Sequence, residues 1–305
     1  MARIVYCRGD FRDEAQAQVS LFDRGLLFGD AVYEVTAVIG GRMIDNDLHL
    51  ARLQRSLAEL SIPLPMPVDR IEHVQQQLIA RNDLTEGTVY LQVSRGETDR
   101  DFLYPEGLAP ALIGFTQARK LVGTKAQREG VAVDLADDPR WTRRDIKTVM
   151  LLGQVLAKTR ARERGFADVW LVEDGKVTEG ASSTAYIITA DGRIVTRGDS
   201  QATLPGCTSR ALLRLCAEHG LTVERRAFTP AEAQGAAEAF MTSASSLVLP
   251  VVRIGGAVVG NGSPGPLTRE LQGHYLKAAE ERDARKDRQA KFSSMAGYHQ
   301  EPRST

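Results

Sequence analysis

The chain has 305 residues, more than one hydrophobic core usually organises, so two domains are expected. Hydrophobic residues at 43% and charged residues at 26% match an ordinary globular protein and argue against a disordered, collagen-like or membrane-spanning chain. Lysine plus arginine equals aspartate plus glutamate at 39 each, so no global basic field is available for a nucleic acid or an anionic membrane, and any bound anion must be caught locally.

The N-terminus turns polar within its first ten residues, too early for a signal peptide, and no run of about 18 apolar residues occurs, so neither export nor a membrane anchor is expected. Tyr33 to Ile39, a Gly40-Gly41 turn and Met43-Ile44 predict a β-hairpin, because two residues that tolerate positive φ reverse a β-branched run. Leu50, Leu53, Leu57 and Leu60 then recur at three- and four-residue steps, predicting a helix from Asp47 capped by Asn46 or Asp47, with Arg52 beside its buried stripe. Val68 to Arg81 repeats the helical period, and Thr88 to Ser94 and Ala111 to Phe115 read as strands.

Between Phe115 and Val131 the apolar pattern fades, which marks an interdomain crossing. The expected division is a small N-terminal domain over 1–118, a linker at 119–123, a large domain over 124–280 and a charged, loose tail over 281–305. The second domain reads as a strand (Val131 to Leu135), a helix (about Thr148 to Arg164), a strand (Val169 to Val172), a Glu173-Asp174-Gly175 turn and a strand pair about Asp191-Gly192. A helix from Ser209 to His219 follows Pro205-Gly206, and Ala239 to Val259 is strand-rich. The mixture lacks the strict alternation of a doubly wound sheet, so the fold class is α+β or α/β, and no internal repeat is visible.

Cys7, Cys207 and Cys216 form neither a metal-ligand spacing nor a disulfide framework, which suits a reducing compartment, the cytoplasm. The five histidines are scattered without an HExxH pairing, so no metal site is expected. The strings GxSxG and GxxxxGK[ST] are also missing, which removes the main signals for serine hydrolases and phosphate-loop enzymes. Amine chemistry has few candidates, with 8 lysines against 31 arginines. Lys147 stands out: Arg140, Arg143 and Arg144 precede it, and apolar Ile146, Val149 and Met150 flank it. Apolar surroundings and cationic neighbours lower a lysine pKa, as an imine-forming amine requires near neutral pH. A lysine that snorkels at a helix start fits the same position. Lys158 falls among Arg160, Arg162 and Arg164 on a solvated helix face.

The strings Phe22 to Val35, His49-Leu50-Ala51-Arg52-Leu53, Arg140 to Lys147, Val177 to Ser183 and Leu204-Pro205-Gly206-Cys207-Thr208 closely resemble the D-amino acid aminotransferases. These belong to the fold type IV pyridoxal phosphate enzymes, together with branched-chain aminotransferases, aminodeoxychorismate lyases and (R)-selective amine transaminases. The resemblance spans about residues 10 to 275. It implies an α+β fold with a small α/β domain and a larger pseudobarrel-like α/β domain, a pyridoxal 5′-phosphate cofactor and a homodimer whose pockets draw on both chains.

By this resemblance Lys147 is the lysine that joins the cofactor through an imine and moves the proton between substrate and cofactor. Glu179 is the acid that pairs with the pyridine nitrogen and keeps it protonated, so that the ring acts as an electron sink. The small residues Gly180, Ala181, Ser182 and Ser183 would let the cofactor approach. Arg140 matches an arginine near the cofactor's 3-oxygen, Leu204 an apolar residue against the ring, and Arg52 the arginine that grips the phosphate. Cys207 and Thr208 start a helix, where free N–H groups favour an anion on physical grounds alone. Ser243, Ala244 and Ser245 align with another phosphate-side turn, with Ser245 also expected to meet the substrate, although relatives often carry threonine where Ala244 stands.

The implied substrate-carboxylate group is Tyr33 and Arg100, working across the dimer, with Phe102 where the family has a histidine. That departure weakens carboxylate binding or makes room for less polar substrates. The implied reaction is transfer of an amino group from a D-amino acid such as D-alanine to a 2-oxo acid such as 2-oxoglutarate by a ping-pong course. The alternatives are an (R)-amine:pyruvate transaminase, favoured by Phe102, a branched-chain L-amino acid transaminase, and a lyase, disfavoured by the close match over Trp141 to Lys147. A noncatalytic protein that only stores the cofactor would be expected to lack Lys147 or Glu179, and both are present.

Overall fold

The computed structural model describes the backbone of residues 2–296 and the side chains of residues 2–281. The N-terminal part is built on a six-stranded antiparallel sheet of β1 (Ile4–Cys7), β2 (Asp10–Asp13), β3 (Ala31–Ile39), β4 (Arg42–Met43), β5 (Glu86–Ser94) and β6 (Ala111–Ala118), in the order β2-β1-β6-β5-β3-β4. A short helix α1 (Arg24–Phe28) precedes β3, and α2 (Asn46–Glu59) and α3 (Val68–Arg81) pack on the sheet. Leu50, Leu53 and Leu57 of α2 meet Ile71, Val74 and Leu78 of α3 and the strand residues Val89, Leu91 and Val93 in one buried cluster.

The predicted hairpin forms with Val38 opposite Met43, and Gly40 and Gly41 take the positive φ angles, 60° and 79°, that a two-residue reversal demands. The cap of α2 differs from expectation. Asp45, itself at positive φ, holds the N-cap position without a capping side-chain bond, its carboxylate accepting instead from Tyr275 Oη at 2.7 Å, while Asn46 turns inward to Thr36 and Gln75. The β1–β2 hairpin and α1 went unpredicted because each is only four or five residues long, too short to show a period.

In the crossing, Lys125–Glu129 forms α4, closed by a reciprocal Thr124–Gln127 cap. The second sheet has β7 (Val131–Asp137), β8 (Asp168–Glu173), β9 (Lys176–Gly180), β10 (Thr184–Ile188), β11 (Ile194–Thr196), β12 (Val223–Arg225), β13 (Glu238–Ser243), β14 (Leu247–Ile254) and β15 (Ala257–Val258). Their order is β12-β11-β10-β13-β14-β7-β8-β9, with β15 beside β14. Residues 180–183 carry the chain from β9 at one edge straight to β10, and the Gly180 N–H donates to Ser183 O, so the sheet curls back on itself. Helices α5 (Leu152–Glu163), α6 (Cys207–Glu218), α7 (Pro230–Gln234) and α8 (Pro266–Ala296) surround it.

Strand alternation divides the second core. Tyr186 and Ile188 of β10 face a cluster with α6 and α8, whereas Ala185 and Ile187 face the opposite cluster with Trp170 and Phe228. Ala37 and Ile44 from the first sheet enter the former cluster, so apolar packing joins the two sheets. The architecture is α+β, as expected. The helix expected from Thr148 begins only at Leu152, because residues 147–149 are extended and pair with β3. No helix among the described residues is long and apolar enough to cross a membrane. The loose end expected for the tail lies, from residue 297 onward, outside the described residues.

A buried ion network spans the two parts. Arg52 Nε and Nη2 donate to the two Glu34 carboxylate oxygens at 2.8 and 2.7 Å, Nη1 donates to Pro205 O at 3.0 Å, and His49 Nδ1 lies 2.7 Å from Glu34. Burial alone would push the Glu34 carboxyl up, but Arg52 and His49 outweigh it and hold the group down to about 2. Glu34 therefore stabilises the fold above the ordinary carboxyl range near pH 4.5, and that stabilisation is lost as pH falls toward 2. Urea unfolding across this window is expected to show a shallower pH slope for Glu34→Gln than for the wild type. At neutral pH the variant should lose about 3–5 kcal/mol, because Arg52 is left as an uncompensated buried charge.

Candidate active site

A cavity opens between the two sheets, walled by β3, α2, the 138–151 segment, the β9–β10 turn, the start of α6 and the end of β13. Lys147 reaches it from an extended segment tied on two sides. Its carbonyl accepts the Tyr33 N–H at 3.0 Å, its own N–H donates to Ser56 Oγ at 3.3 Å, and the Val149 N–H donates to Ala31 O at 3.1 Å. Nζ lies 4.2 Å from the centroid of the Tyr33 ring. The lysine thus stands on a third strand-like layer beside β3, not at a helix start.

The arginines around it are engaged. Arg143 pairs with Asp145 and Glu59, Arg144 with both oxygens of Glu173, and Arg140 with Asp138 and Glu179. The cationic field expected beside Lys147 is therefore matched by carboxylates. These pairs fix the loop: Arg55 donates to both the backbone and the side chain of Asp145, tying the segment to α2.

Glu179 closes another wall. It is buried, accepts from Arg140 Nη1 at 2.6 Å and takes the Leu204 N–H at 3.1 and 3.2 Å. Burial raises its pKa, with the Arg140 cation and the Leu204 N–H pulling the other way. A buried carboxyl raised in this way gains most from a partner that brings a positive N–H. Gly180, expected to clear space for a ligand, also meets a local need, since a Cβ there would fall 2.1 Å from Ser183 Oγ in the turn.

The start of α6 forms a further wall. Gly206 is its N-cap and no side chain caps the helix, so its first N–H groups and the positive end of the dipole face the cavity for an anion. Cys207 and Thr208 are buried at this point. Beside them lie Ser243, Ala244 and Ser245, with Ser243 Oγ 3.3 Å from Ser245 Oγ and 2.7 Å from Ser246 Oγ. Arg52 also lines the wall, with three of its five donors already committed to Glu34 and Pro205.

Of the residues singled out in sequence, Tyr33, Arg52, Arg140, Lys147, Glu179, Ser182, Leu204, Cys207, Thr208, Ser243, Ala244 and Ser245 all line this one cavity. Arg100 and Phe102 do not. They sit on the 97–110 segment, Arg100 at 5.5 Å and Phe102 at 5.7 Å from the Phe28 ring, and Phe102 is 77% exposed. Lys158 keeps an exposed side chain on its helix face, as expected, and its amine reaches Asp168 at 3.2 Å and Ser182 at 3.1 Å.

Sequence reasoning missed Glu34 and His49. His49 shares the inner face of α2 with Arg52 and Leu53, a three- and four-residue spacing that marks it as buried, but only the fold supplies its partner on β3. Glu34, His49 and Cys207 place ligand-type atoms within 4.8 Å of one another. Arg52 and His49 already occupy the Glu34 oxygens, and the adjoining guanidinium opposes a divalent cation.

A reactive amine, a buried acid and an uncapped helix start around one cavity form a donor set that suits an aromatic nitrogen base carrying an aldehyde and a phosphate. The profile described as amino-transferase class IV matches residues 31–254. The D-alanine aminotransferase of Bacillus licheniformis is 38% identical over 268 residues, covering 88% of this chain and 94% of that protein. The D-alanine aminotransferase of Staphylococcus haemolyticus is 32% identical over 281 residues, covering 92% and 99%. The branched-chain amino acid aminotransferase of Escherichia coli superposes with a TM-score of 0.86 at 21% identity, covering 92% of this chain and 95% of that one, which speaks for the fold. The chain belongs to the class IV aminotransferases, enzymes that work with pyridoxal 5′-phosphate.

Proposed function

We propose that this aminotransferase takes the amino group from a D-amino acid, with D-alanine as the representative donor, and delivers it to a 2-oxo acid such as 2-oxoglutarate. The carrying observation is the convergence of Lys147, Glu179 and the open start of α6 on one cavity. The similarity to D-alanine aminotransferases over about nine-tenths of the chain supports the choice of donor.

When bound, pyridoxal 5′-phosphate supplies an electron sink for the charge left at the substrate α-carbon. Lys147 Nζ would hold the cofactor before substrate arrives and, once released, would serve as the base and acid that moves the proton of the substrate α-carbon. Glu179, oriented by Arg140 and the Leu204 N–H, receives the ring nitrogen's N–H and keeps that position positive. The α6 N–H groups with Thr208, Ser243 and Ser245 hold the phosphate, and Arg52 reinforces that end through its two uncommitted donors. Leu204 and Ala244 shape the wall, Ser182 links it to Lys158, and Tyr33 packs beside the lysine. The donor's keto product leaves before the acceptor enters, a ping-pong course.

The reading includes a cytoplasmic homodimer. All three cysteines are free thiols, which suits a reducing compartment. Leu152 is 71% exposed and Val155 55% exposed beside the cavity mouth, and the 97–110 segment carries exposed Phe102 and Leu103. Arg100 and Phe102 lie away from their own chain's cavity, so in this reading they serve the partner's. The division into 1–118, a linker at 119–123 and a cofactor-holding unit over 124–280 belongs to the same reading, supported by β6 ending at Ala118 and β7 starting at Val131.

Lys147→Ala is expected to lower turnover by at least about 10²–10⁴-fold, the usual worth of a positioned acid–base group. Borohydride should abolish the visible absorbance band of the wild type while leaving the cofactor covalently attached to Lys147, and leave the variant unlabelled. A variant turning over near the wild-type rate would remove Lys147 from this role. Donor choice is read from the rate at which D-alanine, L-leucine and (R)-1-phenylethylamine bleach that band. D-alanine should be fastest, and fastest bleaching by L-leucine or the amine would replace the donor assignment. Phe102→His should tighten D-alanine binding by about tenfold, equivalent to about 1.4 kcal/mol from one added charge-assisted hydrogen bond. An unchanged donor affinity would remove Phe102 from the carboxylate pocket.

A further inference from the structure

Cys207 combines three features that no other cysteine of the chain shares. It is the first residue of α6, a 12-residue helix without a side-chain cap, where backbone N–H groups are left open. It lines the cavity that holds Lys147 and Glu179. It also lies beside a buried imidazole: the ligand-type atoms of Cys207, His49 and Glu34 are all within 4.8 Å of one another. Glu34 engages His49 at Nδ1, 2.7 Å away, which leaves Nε2 as the ring nitrogen free to serve the thiol. Burial by itself would push the imidazole down, but the Cys207 sulfur and the Glu34 carboxylate overcome this and raise it to about 9.

The arrangement has the order of a nucleophile, a base and a group that orients the base. The other thiols lack it. Cys7 donates to Gln18 O at 3.2 Å, and Cys216 lies in the apolar cluster under α8, where burial pushes it up to about 11.

We propose that Cys207 is a reactive thiol, set by the Glu34–His49 pair, and that its oxidation or alkylation closes the phosphate end of the cavity to the cofactor. The ligand class is a small electrophile, with hydrogen peroxide as the simplest case. As the Cys207 thiol passes its proton to His49, its sulfur attacks one peroxide oxygen, an S–O bond forms and the O–O bond breaks. The departing hydroxide takes a proton from the His49 imidazolium and leaves as water, so Cys207 is oxidised to a sulfenic acid and the peroxide is reduced. The added oxygen occupies space at the α6 start and competes with phosphate for the same N–H groups. Bound phosphate, in turn, covers the thiol. The gating half of this inference rests on the phosphate reading above, whereas the thiol's reactivity does not.

The test compares cofactor-free and cofactor-loaded protein. Iodoacetamide, and separately hydrogen peroxide followed by dimedone, are applied in timed pulses, and adducts at each cysteine are quantified by peptide mass spectrometry. In cofactor-free protein Cys207 should react at least about tenfold faster than Cys7 and Cys216, because it lines the cavity beside His49 whereas they do not. Loading with pyridoxal 5′-phosphate should slow Cys207 by a similar factor. Carboxamidomethylated protein should bind the cofactor at least about tenfold more weakly by absorbance titration, and dithiothreitol should restore the peroxide-treated sample. His49→Gln, checked for folding by circular dichroism, should slow the reaction and flatten its pH profile. Should that variant unfold, the wild-type pH profile and the comparison of the three thiols decide the matter. Equal reactivity of the three cysteines, or full cofactor affinity after Cys207 is modified, overturns the proposal. Failure of untreated protein to take up the cofactor instead overturns the phosphate reading together with the gating, and leaves the thiol comparison to judge Cys207 alone.

Discussion

The bidentate pairing of Arg52 with Glu34 is the interaction on which the cavity depends. It joins α2 to β3, and through Arg52 Nη1 it reaches the carbonyl of Pro205, immediately before the N-cap of α6. Three elements that form separate walls are thereby held by one guanidinium. Two charges removed from water cost several kcal/mol each, and only their close mutual contacts and the additional His49 bond offset that cost. The arrangement is tolerable because every heavy atom of the pair that can hydrogen-bond does so, and the same requirement fixes the relative position of the sheets far more sharply than apolar packing would.

The same logic repeats around Lys147. Its segment has no helical ladder of its own, so it is positioned by backbone bonds to β3, by Ser56 from α2 and by the Arg55–Asp145 and Arg143–Glu59 pairs. A lysine on a free loop would pay in conformational entropy each time it reached for a reacting atom. Here the backbone is immobilised and only the side chain remains to move. The neutral charge total of the chain is thus resolved into local pairs, in which arginines fix loops by binding carboxylates and a few donors remain facing the cavity.

Much of the site was legible in sequence. Lys147 was recognisable because lysines are scarce and this one has apolar neighbours, and Gly206-Cys207-Thr208 because a glycine followed by a helical period announces an anion-binding start. The α3 limits, Val68–Arg81, followed from spacing alone, since a stripe of five buried positions admits one helical register. The elements that escaped are those whose local signal is short or contradictory. The Lys147 to Val149 run continues an apolar pattern that reads as helix, yet β3 captures it as extended chain, since the unpaired edge of that strand offers hydrogen bonds the helix would otherwise have to supply.

The chain's family was legible in sequence alone, because several separate strings resemble the D-amino acid aminotransferases in the same order, and that resemblance supplied the expected roles of Lys147 and Glu179. The tertiary structure decided which residues meet. His49 and Cys207 are separated by more than 150 positions and belong to different parts of the fold, and no local pattern brings a thiol to an imidazole. Arg52 could be read as a free anion-binding fork until the fold set Glu34 against it. Arg100 and Phe102 were assigned to a pocket by the family resemblance, yet the 97–110 segment holds them outside their own chain's cavity. Pair interactions between distant residues depend on how sheets and helices pack, and packing is a property of the whole core and not of any window along the chain.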